Sequence, residues 1–271
     1  MDGARFNLRV SLIAGFAMAG LVAVLCMNPV PQDEGYHGFA DQRTFLGIPH
    51  FWNVVSNLPF VIAGAAGLVL LARGGGRFHE RWERGAWGVL LAAVFLVGFG
   101  SAYYHAGPTT YTLFWDRVPM TLMFSAFLAI TIGERMRPAW GARLLVPLLA
   151  AGLGTLLYWR AGELRGAGDL RGYGLLQGLA MTAIPAMMLL FPPRYTRNRD
   201  LWAIVLLYAA AKACETFDVP LHRLLGEHMS GHALKHLIAG LAAWKIFTML
   251  RAREPLPEPV PVCVEEIATV C

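Results

Sequence analysis

The residues most able to do chemistry are three histidines, one aspartate and one serine. Ser101 and His105 lie four residues apart, as do His232 and His236, and positions four apart share one face of a helix. Asp116 follows His105 by eleven residues, across a short uncharged loop. Three neutral imidazoles suit Zn2+, which they bind at about 2.0–2.1 Å, and a catalytic zinc site keeps its fourth position for water. Zinc lowers the pKa of such a water toward about 7. A carboxylate such as Asp116 can take its proton and later deliver it to a leaving group. A hydroxyl such as Ser101 can stabilise an oxyanion formed when a carbonyl is attacked. The chemistry expected is therefore metal-assisted hydrolysis of a carbonyl compound.

Each piece also has a structural reading. An HxxxH pair is compatible with interfacial or hydrogen-bonded histidines. Ser101 can be a helix-packing serine. Asp116 near a helix start can face the positive dipole end or pair with Arg117, and Ser230 reads as an N-cap. The metal reading rests on all of these residues falling at one depth of the same body, because ionisable groups at membrane depth are costly and mark functional positions.

The elements that must position them are membrane helices. Of 271 residues 56% are hydrophobic and 15% charged, where a soluble domain carries nearer about 25% charged residues. Apolar runs of about 20 residues suit a crossing of roughly 30 Å of hydrocarbon. The pattern predicts an all-α polytopic bundle with spans at 9–29, 51–72, 85–105, 114–133, 143–160, 172–191, 200–218 and 231–250. Pro29, Pro31, the Gly74–Gly76 turn, Pro138, Pro192, Pro193 and Pro220 punctuate it. The first span follows Arg5 and Arg9 and reads as a retained helix rather than a cleaved signal, since no small-residue cleavage site ends it. Cys26, Cys214, Cys263 and Cys271 form no CxxC pair. The net charge of +5 is spread between apolar runs rather than gathered in a patch, so nucleic acid is not an expected partner.

Arginines in alternate connections divide fourteen to six, so both termini are expected in the cytoplasm. The ionisable cluster then lies toward the extracytoplasmic side. Arginine far outnumbers lysine, which fits a bacterial cell-membrane protein. The expected organisation is an N-terminal transmembrane anchor over 1–35, a seven-helix core over 36–253, and a disordered, proline-rich cytoplasmic tail over 254–271.

These pieces taken together resemble the alkaline ceramidase family, within the wider group of seven-helix membrane hydrolases that includes the adiponectin-receptor-like proteins. The matching pieces are Phe51-Trp52-Asn53-Val54-Val55-Ser56-Asn57, Ser101-x-x-x-His105, Asp116, and His232-x-x-x-His236. The resemblance spans about 36–250. It implies zinc held by His105, His232 and His236, Asp116 as general base and Ser101 as oxyanion stabiliser. The reaction implied is cleavage of the ceramide amide to a sphingoid base and a fatty acid. Two departures stand out: the helix at 9–29 is additional, and His50 occupies a position where an acidic residue precedes Phe51 in the eukaryotic members. Their calcium site is not carried over, and Asp33, Glu34 and Asp41 read as a solvated loop in which Arg43 pairs with Asp41 or with a lipid headgroup.

Glu215 and Asp218 are expected to pair with Lys212. Asn53, Ser56 and Asn57 read as polar glue between helices. His37, His222, His228 and Glu227 fall in loops on the active side, and the run Asp169 to Tyr173 as a lipid entrance. A non-enzymatic lipid receptor or scaffold using the same pocket is the alternative function. A proton-relaying transporter lacks inverted repeats, and a haem bundle leaves Ser101 and Asp116 without a role.

Overall fold

The computed structural model describes residues 3–257. Among these the chain is helical, without strands beyond two isolated bridging pairs. The long helices are α1 (Gly3–Cys26), α3 (Leu58–Ala72), α4 (Arg81–Ala106), α5 (Thr110–Arg135), α6 (Pro138–Glu163), α7 (Arg171–Leu190), α8 (Asn198–Thr216) and α10 (Gly231–Ala252). Two short helices, α2 (Phe51–Val55) and α9 (Asp218–Leu224), sit at the end that carries the site. With α2 and α3 taken as one span, seven helices are long and apolar enough to cross a membrane. The remaining long helix, α8, carries Arg199, Asp200, Lys212 and Glu215 and is not among those seven. It nonetheless packs along α10 within the bundle.

The spans expected from hydropathy all appear as helices, with ends shifted by local chemistry. The expected 51–72 span breaks at Ser56 and Asn57, just ahead of Pro59 in the first turn of α3, where a residue without an N–H is tolerated. The expected 200–218 span stops at Thr216, and Asp218 opens α9 instead of closing α8. Thr109 caps α5 through a reciprocal bond with Thr112, and Ser230 caps α10 by accepting from the Ala233 N–H.

The packing order runs α7, α5, α4, α3, α10, α8, with α6 outside against α5. α7 and α8 scarcely touch, so the ring is open there. α1 leans mainly on α7 and has no buried residue. Phe6 meets Phe191 and Trp140, and Arg171 donates to the Met27 carbonyl. Away from the site, Trp87, Leu91, Ile130, Met249 and Leu250 form a buried core.

At that end Arg253 is buried against Glu134 at 2.7 Å and lies over the Tyr195 ring at 3.9 Å. The first residues of the expected disordered tail are held there. Glu254 O accepts from the Thr196 N–H at 2.9 Å, and the Leu256 N–H donates to Arg194 O at 2.9 Å. The rest of that tail, 258–271, lies outside the described residues.

Candidate metal centre

The site is built from the last turns of α4, the second turn of α5 and the first turns of α10. α10 begins where only a glycine fits: a Cβ on Gly231 would lie 2.4 Å from Cys214 O and 2.8 Å from Asp218 Cα. The close approach lets Asp218 Oδ1 accept from the His232 N–H at 2.7 Å, while its Oδ2 accepts from the Ala40 N–H at 3.0 Å. Asp218 thus ties the 33–50 loop to the start of α10. It does not pair with Lys212 as the spacing had suggested, because it lies beyond the bend that ends α8.

His105, His232 and His236 are each at most 5% exposed, and one nitrogen from each lies within 4.8 Å of the others. His105 Nε2 and His232 Nε2 are 3.3 Å apart. Two nitrogens bound at about 2.0–2.1 Å to one tetrahedral ion would lie roughly 3.3–3.4 Å apart. His236 Nδ1 bonds Ser56 Oγ at 2.9 Å, which leaves its Nε2 for the cluster. Lys235 Nζ lies 3.1 Å from His232 Nε2. The donor set and its spacing fit a divalent ion of the zinc type.

The polar glue expected of Asn53, Ser56 and Asn57 has a specific purpose at two positions. Ser56 orients His236, and Asn53 Oδ1 accepts from Ser230 Oγ at 3.2 Å, which locks α2 to the cap of α10. Partners that orient metal ligands typically contribute about 10- to 100-fold in metal affinity. Ser56→Ala is therefore expected to weaken zinc binding by a factor in that range with the helical circular dichroism unchanged, read by competition with a chromogenic chelator.

Asp116 and Ser101 stand side by side in the cavity wall. Gly100 makes this contact possible: a Cβ there would lie 2.5 Å from Trp115 O, so α4 and α5 touch backbone to backbone beside both residues. Gly100→Val is expected to push α5 away and separate Asp116 from Ser101. A thermal melt should read overpacking of about 1–3 kcal/mol, together with a fall in any activity.

Behind this polar end lies a cavity of about 360 Å³. Ser101, Asp116, His236, Lys235 and Glu215 line one end, and Leu90, Phe127, Ile184 and Ile246 the other. Leu90 lies eleven residues before Ser101 on α4, so the cavity runs down the bundle for about 16 Å at 1.5 Å per residue. It borders the open seam between α7 and α8, which Gln177 Nε2 bridges by donating to the Tyr208 hydroxyl at 3.1 Å. On the loop side Phe39 closes the cluster, its ring centroid 4.6 Å from those of His105 and His232.

Several residues behave differently from expectation. Glu215 does pair with Lys212, but it also binds Lys235 at 2.9 Å. Lys235 was given no role by the sequence, although it sits one residue before His236. Asp116 makes no salt bridge with Arg117, which turns toward Tyr36, Trp159 and Tyr173. His50 bonds the His105 carbonyl at 3.0 Å and so supports the end of α4. His37, His222 and His228 stay outside the cluster, and His37 is held by Tyr104 and Thr110. Of the expected lipid entrance, Tyr173 lines the cavity, whereas Asp169 and Arg171 clasp each other at 2.8 Å.

Asp41 is not solvated: it is 2% exposed, and Arg43 binds it at 2.7 Å and also donates to the His228 carbonyl. Burial alone would raise the Asp41 carboxyl, but the side-chain and backbone bonds from Arg43 outweigh it and hold it below the usual range. A lowered folded value means that its stabilisation is present above the unfolded value of 3.8 and is lost as pH falls through the folded one. Protection of the 33–50 loop amides, relative to their intrinsic exchange rates, should therefore fall only in acid, below about pH 4.

Residues 46–211 match the ceramidase family. That stretch covers more than half of the chain and contains Ser101, His105 and Asp116, while His232 and His236 lie beyond it. No curated protein matches the chain. A helical bundle with buried histidines from two helices, an apolar cavity behind them and this match lead to one conclusion: the chain belongs to the ceramidase family.

Proposed function

We propose that the protein is a zinc-dependent intramembrane amidase that cleaves the amide of ceramide or a related N-acyl lipid, releasing a sphingoid base and a fatty acid. The observation that carries this reading is the convergence of His105, His232 and His236 at the polar end of an apolar cavity, with Asp116 and Ser101 in the adjoining wall. In this reading the seven-helix core over 36–253 holds the site, the helix over 1–35 is an added anchor, and 254–271 is a cytoplasmic tail. Both termini face the cytoplasm of a bacterial cell, and the site faces the extracytoplasmic side.

His105, His232 and His236 would hold the ion, with Ser56 fixing the His236 ring. A divalent ion there supplies Lewis acidity toward a water and the amide carbonyl. The acyl chain lies along the apolar end of the cavity, which excludes bulk water from the reacting carbonyl. Asp116 takes a proton from the attacking water on its carboxylate as the water oxygen bonds to the carbonyl carbon. It returns that proton to the amide nitrogen as the C–N bond breaks, so the amine leaves neutral. Ser101 holds the Asp116 carboxylate in the ground state and turns its hydroxyl toward the carbonyl oxygen as negative charge develops there.

Purified protein should carry about one equivalent of zinc and release fatty acid from a fluorescent ceramide. Chelation should stop the release and zinc should restore it. Protein that carries no divalent metal, or that cleaves ceramide equally well after chelation, ends the reading.

A further inference from the structure

Arg117 follows Asp116 by one residue but occupies another side of α5. It is 6% exposed. Its guanidinium lies over three aromatic faces, 4.7 Å from the Trp159 ring, 5.0 Å from Tyr173 and 5.6 Å from Tyr36. Its Nη1 has no hydrogen-bond partner among the described residues. No carboxylate among them forms an ion pair with it. Asp116, its neighbour in the chain, makes no salt bridge with it, and Glu215 is occupied by Lys212 and Lys235. Ring faces offset only part of the cost of taking a cation out of water, and buried charges are normally paired. The cavity wall as a whole carries three cations, Arg117, Lys212 and Lys235, against two carboxylates, Asp116 and Glu215. One negative charge is missing.

Its position says which end of a lipid would supply that charge. Tyr36 belongs to the loop above the bundle, Trp159 lies four residues before the end of α6, and Tyr173 lies two residues into α7. The guanidinium therefore sits in the outermost turns, at the opposite end of the cavity from Leu90 and Ile246. An acyl chain occupies the apolar end, so the amine side of the lipid meets Arg117. We infer that Arg117 forms a subsite for a carboxylate or phosphate carried on the amine side of an N-acyl lipid, and that the protein selects N-acyl lipids with an anionic head. That the ligand is an N-acyl lipid rests on the amidase reading; the demand for an anion rests on Arg117 and the charges around it.

N-oleoylglycine and N-oleoylethanolamine share the acyl amide and differ in a carboxylate against a hydroxymethyl group. Ceramide 1-phosphate and ceramide form the matching phosphate pair, and oleic acid carries the anion on the acyl side. Dissociation constants are measured on the full-length, zinc-loaded protein in detergent. A charged hydrogen bond predicts that the anionic member of at least one pair binds about tenfold more tightly or better. Arg117→Gln should erase that preference, and Arg117→Lys, which keeps the charge without the fork, should retain part of it. Equal binding of both members of both pairs overturns the inference, as does a preference that survives in Arg117→Gln. Oleic acid binding as tightly as N-oleoylglycine with the same dependence on Arg117 overturns the assignment to the amine side. If Arg117→Gln does not fold, the wild-type preference and its reduction in Arg117→Lys decide the matter. Cleavage is scored separately. Anion-selective binding without cleavage of any N-acyl lipid leaves the subsite standing and ends the amidase reading, and cleavage of neutral ceramide without anion preference does the reverse.

Discussion

Asp116→Asn is expected to lower ceramide hydrolysis by about 10²- to 10⁴-fold, the range a positioned general base contributes, while zinc content and lipid binding stay near wild type. The substitution is nearly isosteric, and the asparagine carbonyl oxygen can still accept a hydrogen bond from Ser101. What it removes is the ability to take a proton from water and return it to the leaving nitrogen. The packing of α4 on α5 through Gly100 is untouched, so a loss of turnover cannot be charged to misfolding. Steady-state turnover of a labelled ceramide is measured beside metal content by mass spectrometry and beside lipid binding. Retained turnover would remove Asp116 from the chemistry. Retained binding in a wild-type protein with no turnover at all would favour a lipid receptor using the same cavity.

The second large effect concerns the metal. His232→Ala is expected to drop bound zinc from about one equivalent to near zero, and activity with it, because two imidazoles leave an incomplete ligand set. Removing the ring also opens space between His105 and Phe39, whose centroids lie 4.8 and 4.6 Å from it. The variant should therefore also melt at a lower temperature. Zinc should restore chelator-treated wild type but not the variant, which separates loss of a ligand from loss of fold. A His232→Ala protein with full zinc and full hydrolysis would show that the three histidines are a packed polar cluster and nothing more.

The sequence by itself determined the helices, since hydropathy over one span and the breakers between spans act within a few residues of each other. It also determined that Ser101 shares a face with His105 and that His232 shares one with His236, because one helical turn fixes that relation. The common depth of these pairs followed from counting residues from the helix ends. The family was legible in the same short motifs, three of which lie inside the matched stretch.

Only the tertiary structure decided which faces meet. Asp116 stands beside Ser101 without a salt bridge to its neighbour Arg117 because Gly100 lets α5 approach α4 on that side, and no i to i+1 relation predicts such an approach. Asp218 serves a loop backbone and the start of α10, and Lys235 reaches Glu215 twenty residues away in sequence. A buried donor or acceptor takes whatever partner the packing brings within about 3 Å. That partner is set by helix crossings among residues remote in the chain, and a pattern read along the chain does not contain them.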